Sequence, residues 1–175
     1  MLWLPLAHAA ALLAVASVAG PPQPALHVER SATITVAAPI DKVFPLFGPV
    51  EEAKWADGWA PDVLHQAKDM EGTVFVTRSP HPAFWVVALW DGAGHHVRYD
   101  EVVPDHYVVQ IDVACRAGSA SETRCQVTYS YTSLGPDGDA FLQQYTSEHH
   151  ARRISQWERA LNHYLQTGER LRGHE

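Results

Sequence analysis

Six short segments between Asp62 and Ser133 constrain the fold of this chain more than any other sequence feature. They are Asp62 to Ala67, Gly72 to Arg78, Ala83 to Asp91, His95 to Val103, Asp105 to Arg116 and Glu122 to Ser133. Each is rich in β-branched and aromatic residues, and each is followed by residues that turn the backbone, such as Gly92-Ala93-Gly94. The gaps are too short for the crossovers that parallel strands need, so the segments predict an antiparallel meander.

Two flanking regions complete the predicted order of elements. Residues His27 to Ala37 alternate apolar and polar side chains, which predicts a first strand. The apolar cluster Val43 to Phe47, closed by Gly48-Pro49, predicts one or two short helices. From Asp139 to about Gln166 the chain has no proline or glycine, and Gly168 follows. This last region predicts one long C-terminal helix, with Asp139 placed to cap or complement its start.

The predicted C-terminal helix has one inward face that changes character along its length. The lower half of this face carries Ile154, Trp157, Leu161, Tyr164 and Leu165, the upper half carries Gln143, Thr146, Ser147 and His150, and the opposite face carries Arg152, Glu158 and Arg159. The apolar half is expected to pack on the sheet. Inward polar groups need partners, so we expect either polar groups on the sheet or a cavity that holds water or ligand.

The N-terminal segment predicts export. Met1 to Ala19 contains no Asp, Glu, Lys or Arg and ends in Ser17-Val18-Ala19, a small-x-small pattern that suits a signal peptidase, although no basic residue precedes the apolar stretch. The alternative is an uncleaved membrane anchor. The expected division is a signal peptide at 1–19, a linker at 20–26, one domain at 27–168 and a tail at 169–175. The mature protein is expected to be periplasmic or secreted, with no stable membrane insertion.

The only two cysteines fit this compartment. Cys115 and Cys125 flank a short stretch of small residues where a hairpin turns, and each shares its alternation phase with buried-type residues such as Val113 and Val127. A disulfide across the hairpin is therefore predicted, and it would stabilise the fold by about 2 to 3 kcal/mol. The alternative is a pair of reduced core thiols, which an oxidising compartment disfavours.

Charge and motif content exclude several classes of function. The chain has 13 Lys+Arg against 20 Asp+Glu, a net charge of −7, which argues against a nucleic-acid-binding surface. The paired histidines His95-His96 and His149-His150 diverge on a strand and on a helix, so no metal site and no cofactor is expected. Nucleophile motifs and phosphate-binding glycine loops are also missing from the sequence.

Five acidic residues that lie near aromatic residues are interpreted as surface groups. Glu51, Glu52 and Asp57 lie beside tryptophans near an expected pocket entrance. The carboxylates of Tyr99-Asp100-Glu101 could serve proton transfer, but alternation on the predicted strand sends Asp100 away from Tyr99 and Glu101. A solvated strand face is therefore the preferred interpretation.

The element order and several local motifs resemble one known superfamily. The motifs are Ala32 to Val36, Pro39 to Phe47, Trp55, Gly58 to Pro61 and Val127 to Thr132. They resemble the SRPBCC superfamily, which includes START lipid-transfer domains, polyketide cyclases and pollen-allergen-like proteins. The resemblance implies an α+β helix-grip fold: a curved antiparallel sheet of about seven strands, two short helices after the first strand, and a long C-terminal helix packed across the sheet.

The resemblance also implies a deep cavity between the sheet and the C-terminal helix. The segment Ala83 to Trp90 is apolar on both faces and aromatic residues are plentiful, which agrees with a cavity for an apolar or amphipathic small molecule. The residues expected to bind this molecule are Phe75, Trp85, Tyr99, Ile111, Tyr129, Tyr131, Thr146, His150 and Trp157.

Three functions are compatible with these expectations. The first is an exported protein that binds a lipid-like or other hydrophobic small molecule and needs no catalytic residue. The second is an enzyme similar to a polyketide cyclase or dehydratase, in which His150 and a pocket tyrosine would transfer protons. The third is a ligand-free interaction module of the cell envelope. The sequence favours a binding protein over an enzyme.

Overall fold

The computed structural model describes residues 24–78 and 81–173. The predicted signal peptide and most of the predicted linker lie outside these residues. One antiparallel sheet has the strand order β1-β7-β6-β5-β4-β3-β2. Its strands are β1 (His27–Val36), β2 (Asp62–His65), β3 (Val74–Thr77), β4 (Ala83–Asp91), β5 (His96–Val103), β6 (Tyr107–Ser119) and β7 (Glu122–Ser133). The predicted meander is confirmed, and the first strand pairs with the last one.

Short helices connect β1 to β2, and two longer helices follow β7. They are α1 (Ile40–Val43), a 3-10 turn (Phe44–Phe47), α2 (Pro49–Glu52), α3 (Pro136–Gln144) and α4 (Ser147–Thr167). The short helices after the first strand and the long final helix agree with the helix-grip fold expected from the sequence. Among the described helices, none is long and apolar enough to cross a membrane.

The C-terminal helical region is divided in two, so the prediction of one uninterrupted helix from Asp139 is wrong. Thr146 has an extended backbone, with φ −77° and ψ 164°, and its hydroxyl oxygen accepts a hydrogen bond from the His149 backbone N–H at 3.1 Å. Thr146 is therefore the N-cap of α4, a role that threonine favours and that needs neither proline nor glycine. Asp139 lies in the first turn of α3, and Gly168 ends α4 at φ 75° as predicted.

Helix α4 packs along the outer edge of β1. The Glu158 carboxylate accepts a hydrogen bond from the Thr35 N–H at 2.7 Å. Four residues later, Asn162 accepts one from the Ala37 N–H at 2.8 Å and donates one to the Thr35 carbonyl at 3.1 Å. Glu158 was predicted to point away from the domain, and this is wrong because the unpaired edge of β1 offers it a backbone donor.

The predicted disulfide is present. Cys115 and Cys125 are direct partners across β6 and β7, and both are buried. Val113 and Val127 are buried on the same face, as their alternation indicated.

The hydrophobic core lies between the concave face of the sheet and the helices. Trp55 is fully buried there, and its indole N–H donates to the Leu46 carbonyl at 2.8 Å. The Tyr99 hydroxyl on β5 donates to the Phe47 carbonyl, and the Trp59 indole donates to the Pro49 carbonyl at 2.7 Å. The Tyr99 bond fixes the helical segment after β1 to the sheet, and the two tryptophan bonds hold that segment together, since a buried polar group without a partner is costly.

Candidate functional site

A cavity of about 880 Å³ lies between the sheet, the segment after α2, and helix α4. Strands β2 to β7 all contribute to its walls, and α3 and α4 close it from the other side. Its lining residues are Glu52, Ala56, Asp57, Gly58, Trp59, Ala60, Asp62, Thr77, Arg78, His81, Trp85, Tyr99, Glu101, Val103, His106, Tyr107, Ile111, Tyr129, Phe141, Arg153 and Trp157. This volume is in the range of pockets that enclose a drug-sized molecule.

One side of the cavity is aromatic. The rings of Trp59 and Trp85 meet edge to face with centroids 5.2 Å apart, and Phe75 stacks behind Trp85 at 5.5 Å. The Trp85 indole N–H donates to the Thr77 hydroxyl at 3.1 Å, which fixes the orientation of the ring. A rigid wall of this kind offers apolar contact area to a ligand at little cost in side-chain entropy.

The other side is polar, and Arg153 is its most prominent group. Arg153 lies on α4 one turn before Trp157, and its guanidinium carbon is 5.1 Å from the centre of the Tyr129 ring, a cation–π distance. Arg153 lines the cavity, and its side chain is exposed to solvent there. Within residues 24–78 and 81–173, no carboxylate lies within 4.0 Å of the guanidinium. The cavity therefore contains a cation without a close counter-ion.

Two carboxyl groups line the same cavity. Glu52 at the end of α2 and Glu101 on β5 are each only 8% exposed. Burial raises the pKa of Glu52 to about 8 and the pKa of Glu101 to about 7, while the positive charge of Arg153 acts in the opposite direction on both. Desolvation thus outweighs the attraction to Arg153, and both groups change protonation near neutral pH.

Hydroxyl and imidazole groups add to the polar side. Burial raises the pKa of Tyr107 and of Tyr129, so both hydroxyls stay protonated. The Nδ1 atom of His106 is buried and has no hydrogen-bond partner in the described part of the chain. Buried polar groups in native proteins are usually satisfied, so these groups are suited to bind a ligand or water.

A close backbone contact fixes the wall formed by α3. A Cβ atom at Gly138 would lie only 1.8 Å from the carbonyl oxygen of His106, so no other residue fits without moving the helix. One turn later, Phe141 reaches the cavity and stacks on Tyr107 with centroids 5.3 Å apart. Gly138 therefore sets how deeply α3 enters the site.

The mouth of the cavity is formed by exposed charged residues. Asp62 on β2 and Arg78 after β3 form an ion pair at 2.7 Å, with side chains 54% and 76% exposed. Asp57 and His81 also line this rim. Exposed pairs of this kind contribute little to stability, so the rim can rearrange at low cost.

Five of the nine sequence-predicted ligand residues line the cavity, and four lie elsewhere. Trp85, Tyr99, Ile111, Tyr129 and Trp157 are in the lining. Phe75 and Tyr131 are buried behind it. Thr146 is exposed and caps α4. Gln143 and Ser147, which were also predicted to point inward, are exposed too. The break before α4 rotates this part of the helical face away from the sheet.

His150 is buried but does not reach the cavity. Its Nδ1 atom is 2.8 Å from the Tyr145 hydroxyl, and its Nε2 atom is 3.3 Å from the Val127 carbonyl oxygen. Both ring nitrogens thus have partners, and burial lowers the pKa of the imidazole. This arrangement suits a neutral structural histidine that joins α4 to β7, and it leaves no nitrogen free for a ligand.

The sequence interpretation missed the three charged groups of the cavity. Glu52 and Glu101 were assigned to the surface, and this is wrong for both. Signals for two of them existed: Glu101 shares the inward phase of Tyr99, and Arg153 lies about 40° from Trp157 on a helical projection. Glu52 had no such signal, because its position depends on how the short helix α2 packs against the sheet.

Comparisons with known proteins define the fold. No family model and no curated protein matches the sequence. Among solved structures, norcoclaurine synthase from Thalictrum flavum is similar with a TM-score of 0.64 at 9% identity, covering 84% of this chain and 99% of that one. An aromatase/cyclase from a Streptomyces species has a TM-score of 0.60 at 14% identity, covering 83% and 100%. A hypothetical protein from Helicobacter pylori has a TM-score of 0.62 at 12% identity, covering 78% and 87%.

These similarities establish the class of fold. The chain has the helix-grip fold of norcoclaurine synthase and of the Streptomyces aromatase/cyclase, as its sequence resemblance implied. At such identities the likeness concerns the fold, and one fold can serve many functions.

Proposed function

We propose that this chain is an exported protein that binds an amphipathic small molecule in the cavity. The observation that carries the proposal is the division of one cavity of about 880 Å³ into an aromatic side and a polar side. Trp59 and Trp85 offer flat apolar surface, whereas Glu52, Glu101 and Arg153 offer polar groups without close ion-pair partners among the described residues. Such a combination is typical of small-molecule sites.

Export is supported by the disulfide and by the leader. Disulfides persist in oxidising compartments and are rare in the cytosol, and the bond between Cys115 and Cys125 fits the export that the first 19 residues predict. The mass of the protein recovered from the extracellular or periplasmic fraction tests this half of the proposal. Cleavage after Ala19 and the loss of two hydrogens from the thiols are expected, and an uncleaved, reduced chain in the cytosol would contradict export.

The ligands of one structurally similar protein match the aromatic and polar sides of the cavity. Norcoclaurine synthase has been solved in complex with dopamine and hydroxybenzaldehyde. Those molecules are small aromatic compounds with polar substituents. A ligand of that general character would place its ring against Trp59 and Trp85 and its polar substituents toward Glu101 and Arg153.

Binding is tested with phenylnaphthylamine, a neutral apolar dye whose fluorescence rises in an apolar site. We expect saturable binding of one dye per chain. Ile111→Trp, which places a larger ring into the cavity, should abolish it. Gln110→Trp is the matched control, since Gln110 is the neighbouring residue on the opposite, exposed face of β6. Equal binding by both variants would refute a site in the cavity.

A second candidate function is proton-transfer catalysis in the same cavity. Glu52 and Glu101 favour it, because their pKa values of about 8 and about 7 suit general acids or bases at neutral pH. His150, the residue first considered for this role, has both nitrogens occupied. A molecule extracted from the purified protein can be returned to fresh protein and followed by mass spectrometry. Loss of water that Glu101→Gln abolishes would identify a dehydrating cyclase, and an unchanged mass would favour a carrier.

A further inference from the structure

The charge balance of the cavity depends on the protonation of two carboxyl groups. Arg153 brings one positive charge, and the neighbouring Tyr129 raises its pKa further, so the guanidinium stays charged. When Glu52 and Glu101 are both protonated, the polar side of the cavity therefore carries a charge of about +1. When both are ionised, the same three groups sum to about −1. Proton loss from the two carboxyl groups is therefore enough to reverse the sign of the charge on the polar side.

The guanidinium is placed to bind a ligand rather than to stabilise the fold. It projects from α4 over the Tyr129 ring, solvent reaches it, and in the described residues it has neither a carboxylate nor a carbonyl oxygen as a hydrogen-bond partner. A structural arginine in such surroundings would be expected to use its five donors on protein acceptors. An unused planar fork of donors matches the carboxylate of a ligand.

Building on the proposed binding function, we propose that the ligand is an amphipathic organic anion whose acidic group binds Arg153, and that ionisation of Glu52 and Glu101 releases it. In the binding state the two protonated carboxyl groups donate hydrogen bonds to the ligand and add no negative charge. In the releasing state they repel the anion and compete with it for Arg153. The ligand's apolar part contacts Trp59 and Trp85 in both states.

Other groups around Arg153 do not reproduce this behaviour. The tyrosines that face it from the sheet and from the α3–α4 junction are Tyr107, Tyr129, Tyr131 and Tyr145, and Tyr99 lies beside Glu52; burial raises the pKa of each, so all stay neutral. Arg30 on β1 is a further cation on the side of Tyr145 and His150, and burial lowers the pKa of His150. At the cavity wall and rim stand His106, His81, Arg78, Asp57 and Asp62. The double variant Glu52→Gln with Glu101→Gln leaves these five residues unchanged, so any pH dependence of ligand binding that they cause would persist in it.

The first test compares two dyes that share one apolar skeleton. Anilinonaphthalene sulfonate is anionic, whereas phenylnaphthylamine is its neutral counterpart. At about pH 6, Arg153→Gln should weaken binding of the anionic dye by roughly tenfold to a hundredfold, because a charge-assisted hydrogen bond is lost. Binding of the neutral dye should change by less than about threefold. Arg152→Gln, which removes an exposed arginine beside the site residue, should change neither affinity.

The second test is the pH dependence of the same two affinities. From about pH 6 to about pH 9, the affinity for the anionic dye should fall by at least roughly tenfold, with the fall centred between the pKa values of the two carboxyl groups. The neutral dye should show no such fall. The double variant Glu52→Gln with Glu101→Gln keeps the histidines of the wall and rim, and it should bind the anionic dye nearly equally at both pH values.

The outcomes separate this proposal from the proposed function. If neither dye binds, the binding function itself is refuted. If both dyes bind but Arg153→Gln leaves the anionic dye unaffected, the cavity is a binding site and the anion proposal is overturned. If the pH dependence persists in the double glutamine variant, release by Glu52 and Glu101 is overturned.

Discussion

Glu52 and Glu101 show how burial can raise the pKa of a carboxyl group into the neutral range. Both side chains are 8% exposed, and desolvation dominates over the positive charge of Arg153. A folded-state pKa above the unfolded value means that the folded chain binds more protons than the unfolded chain between the two pKa values. The stability that these groups contribute is therefore present at acidic pH and is lost as the pH rises.

We predict that the protein is more stable at about pH 5.5 than at about pH 9, by an amount on the order of several kcal/mol, since each pKa unit corresponds to about 1.4 kcal/mol. Urea unfolding at a series of pH values measures this difference. The loss should run through the window that ends near the two folded-state pKa values of about 7 and about 8.

Glutamine variants identify the source of this pH dependence. Glu52→Gln and Glu101→Gln remove the ionisation while keeping the size of the side chain, so each should reduce the difference in unfolding free energy between acidic and alkaline pH. Glu51→Gln is the control, because Glu51 lies outside the cavity lining and pairs with Lys54 at the surface. A pH dependence that stays the same in both site variants would show that these carboxyl groups are not its origin.

At the residue scale, sequence patterns predicted side-chain directions better than they predicted environments. The alternation along β5 put Tyr99 and Glu101 on one face, and the structure shows both in the cavity wall. The same pattern could not show that this face is enclosed, because enclosure depends on α4 and α3 folding back over the sheet. Glu101 was therefore assigned to solvent. Arg153 was overlooked, although on a helical projection it lies on the same face as Trp157.

Helix α4 depends on its N-cap because the preceding helix ends only two residues earlier. We predict that Thr146→Ala lowers the free energy of unfolding by about 1 kcal/mol, since the hydrogen bond that the His149 N–H donates to the Thr146 hydroxyl oxygen is lost. Ser147→Ala is the control: Ser147 is exposed, and its side chain makes no hydrogen bond with the described residues. Equal unfolding curves for the two variants would rule out a capping role.

The β6–β7 hairpin carries the disulfide, yet its pairing extends well beyond it. The register runs from Tyr107 and Ser133 at one end to Ser119 and Glu122 at the other. We predict that the double variant Cys115→Ala with Cys125→Ala keeps the fold and loses about 2 to 3 kcal/mol of stability, because the cross-link mainly restricts the unfolded chain. Circular dichroism and denaturant unfolding measure the two quantities. A variant without native strand signal would show that the disulfide is needed for folding itself.

Strands were predicted more accurately than helix boundaries. Alternating residues and turn signals located all seven strands, and Gly168 located the end of α4. The junction at Tyr145 and Thr146 was missed because it contains neither proline nor glycine. Its cap is a threonine, a residue that also occurs inside helices, so tertiary packing decides where the helix is divided.

The whole molecule can be described as a curved sheet that is closed by helices on one side and leaves a two-sided cavity. Three of its six tryptophans, Trp59, Trp85 and Trp157, line that cavity, whereas Trp55 is buried in the core. Any ligand in the cavity therefore lies close to several indole rings.

We predict that bound phenylnaphthylamine accepts excitation energy from the cavity tryptophans. Trp157→Phe should reduce the transfer while leaving a hydrophobic wall in place. Trp90→Phe should leave it nearly unchanged, because Trp90 packs on Phe44 outside the cavity lining. Transfer that is equally reduced by both substitutions would place the dye elsewhere.

At this scale the sequence predicted the architecture and the existence of a cavity, but not its electrostatics. Element order and the motifs that resemble the SRPBCC superfamily implied the first two, and the aromatic content agreed with a cavity. The polar side is assembled from α2, β5 and α4, which are distant in sequence, so no local pattern brings Glu52, Glu101 and Arg153 together.

The contacts of Glu158 and Asn162 with β1 also bear on self-association. An open sheet invites strands of another copy to join its ends, which is a common start of aggregation. Here α4 side chains bond the backbone of Thr35 and Ala37 at the C-terminal end of edge strand β1, and the other edge strand, β2, is only four residues long and irregular in register. These features restrict backbone pairing at parts of both edges, whereas the convex face of β4 offers two copies an apolar side-chain contact through the exposed Phe84 and Val86.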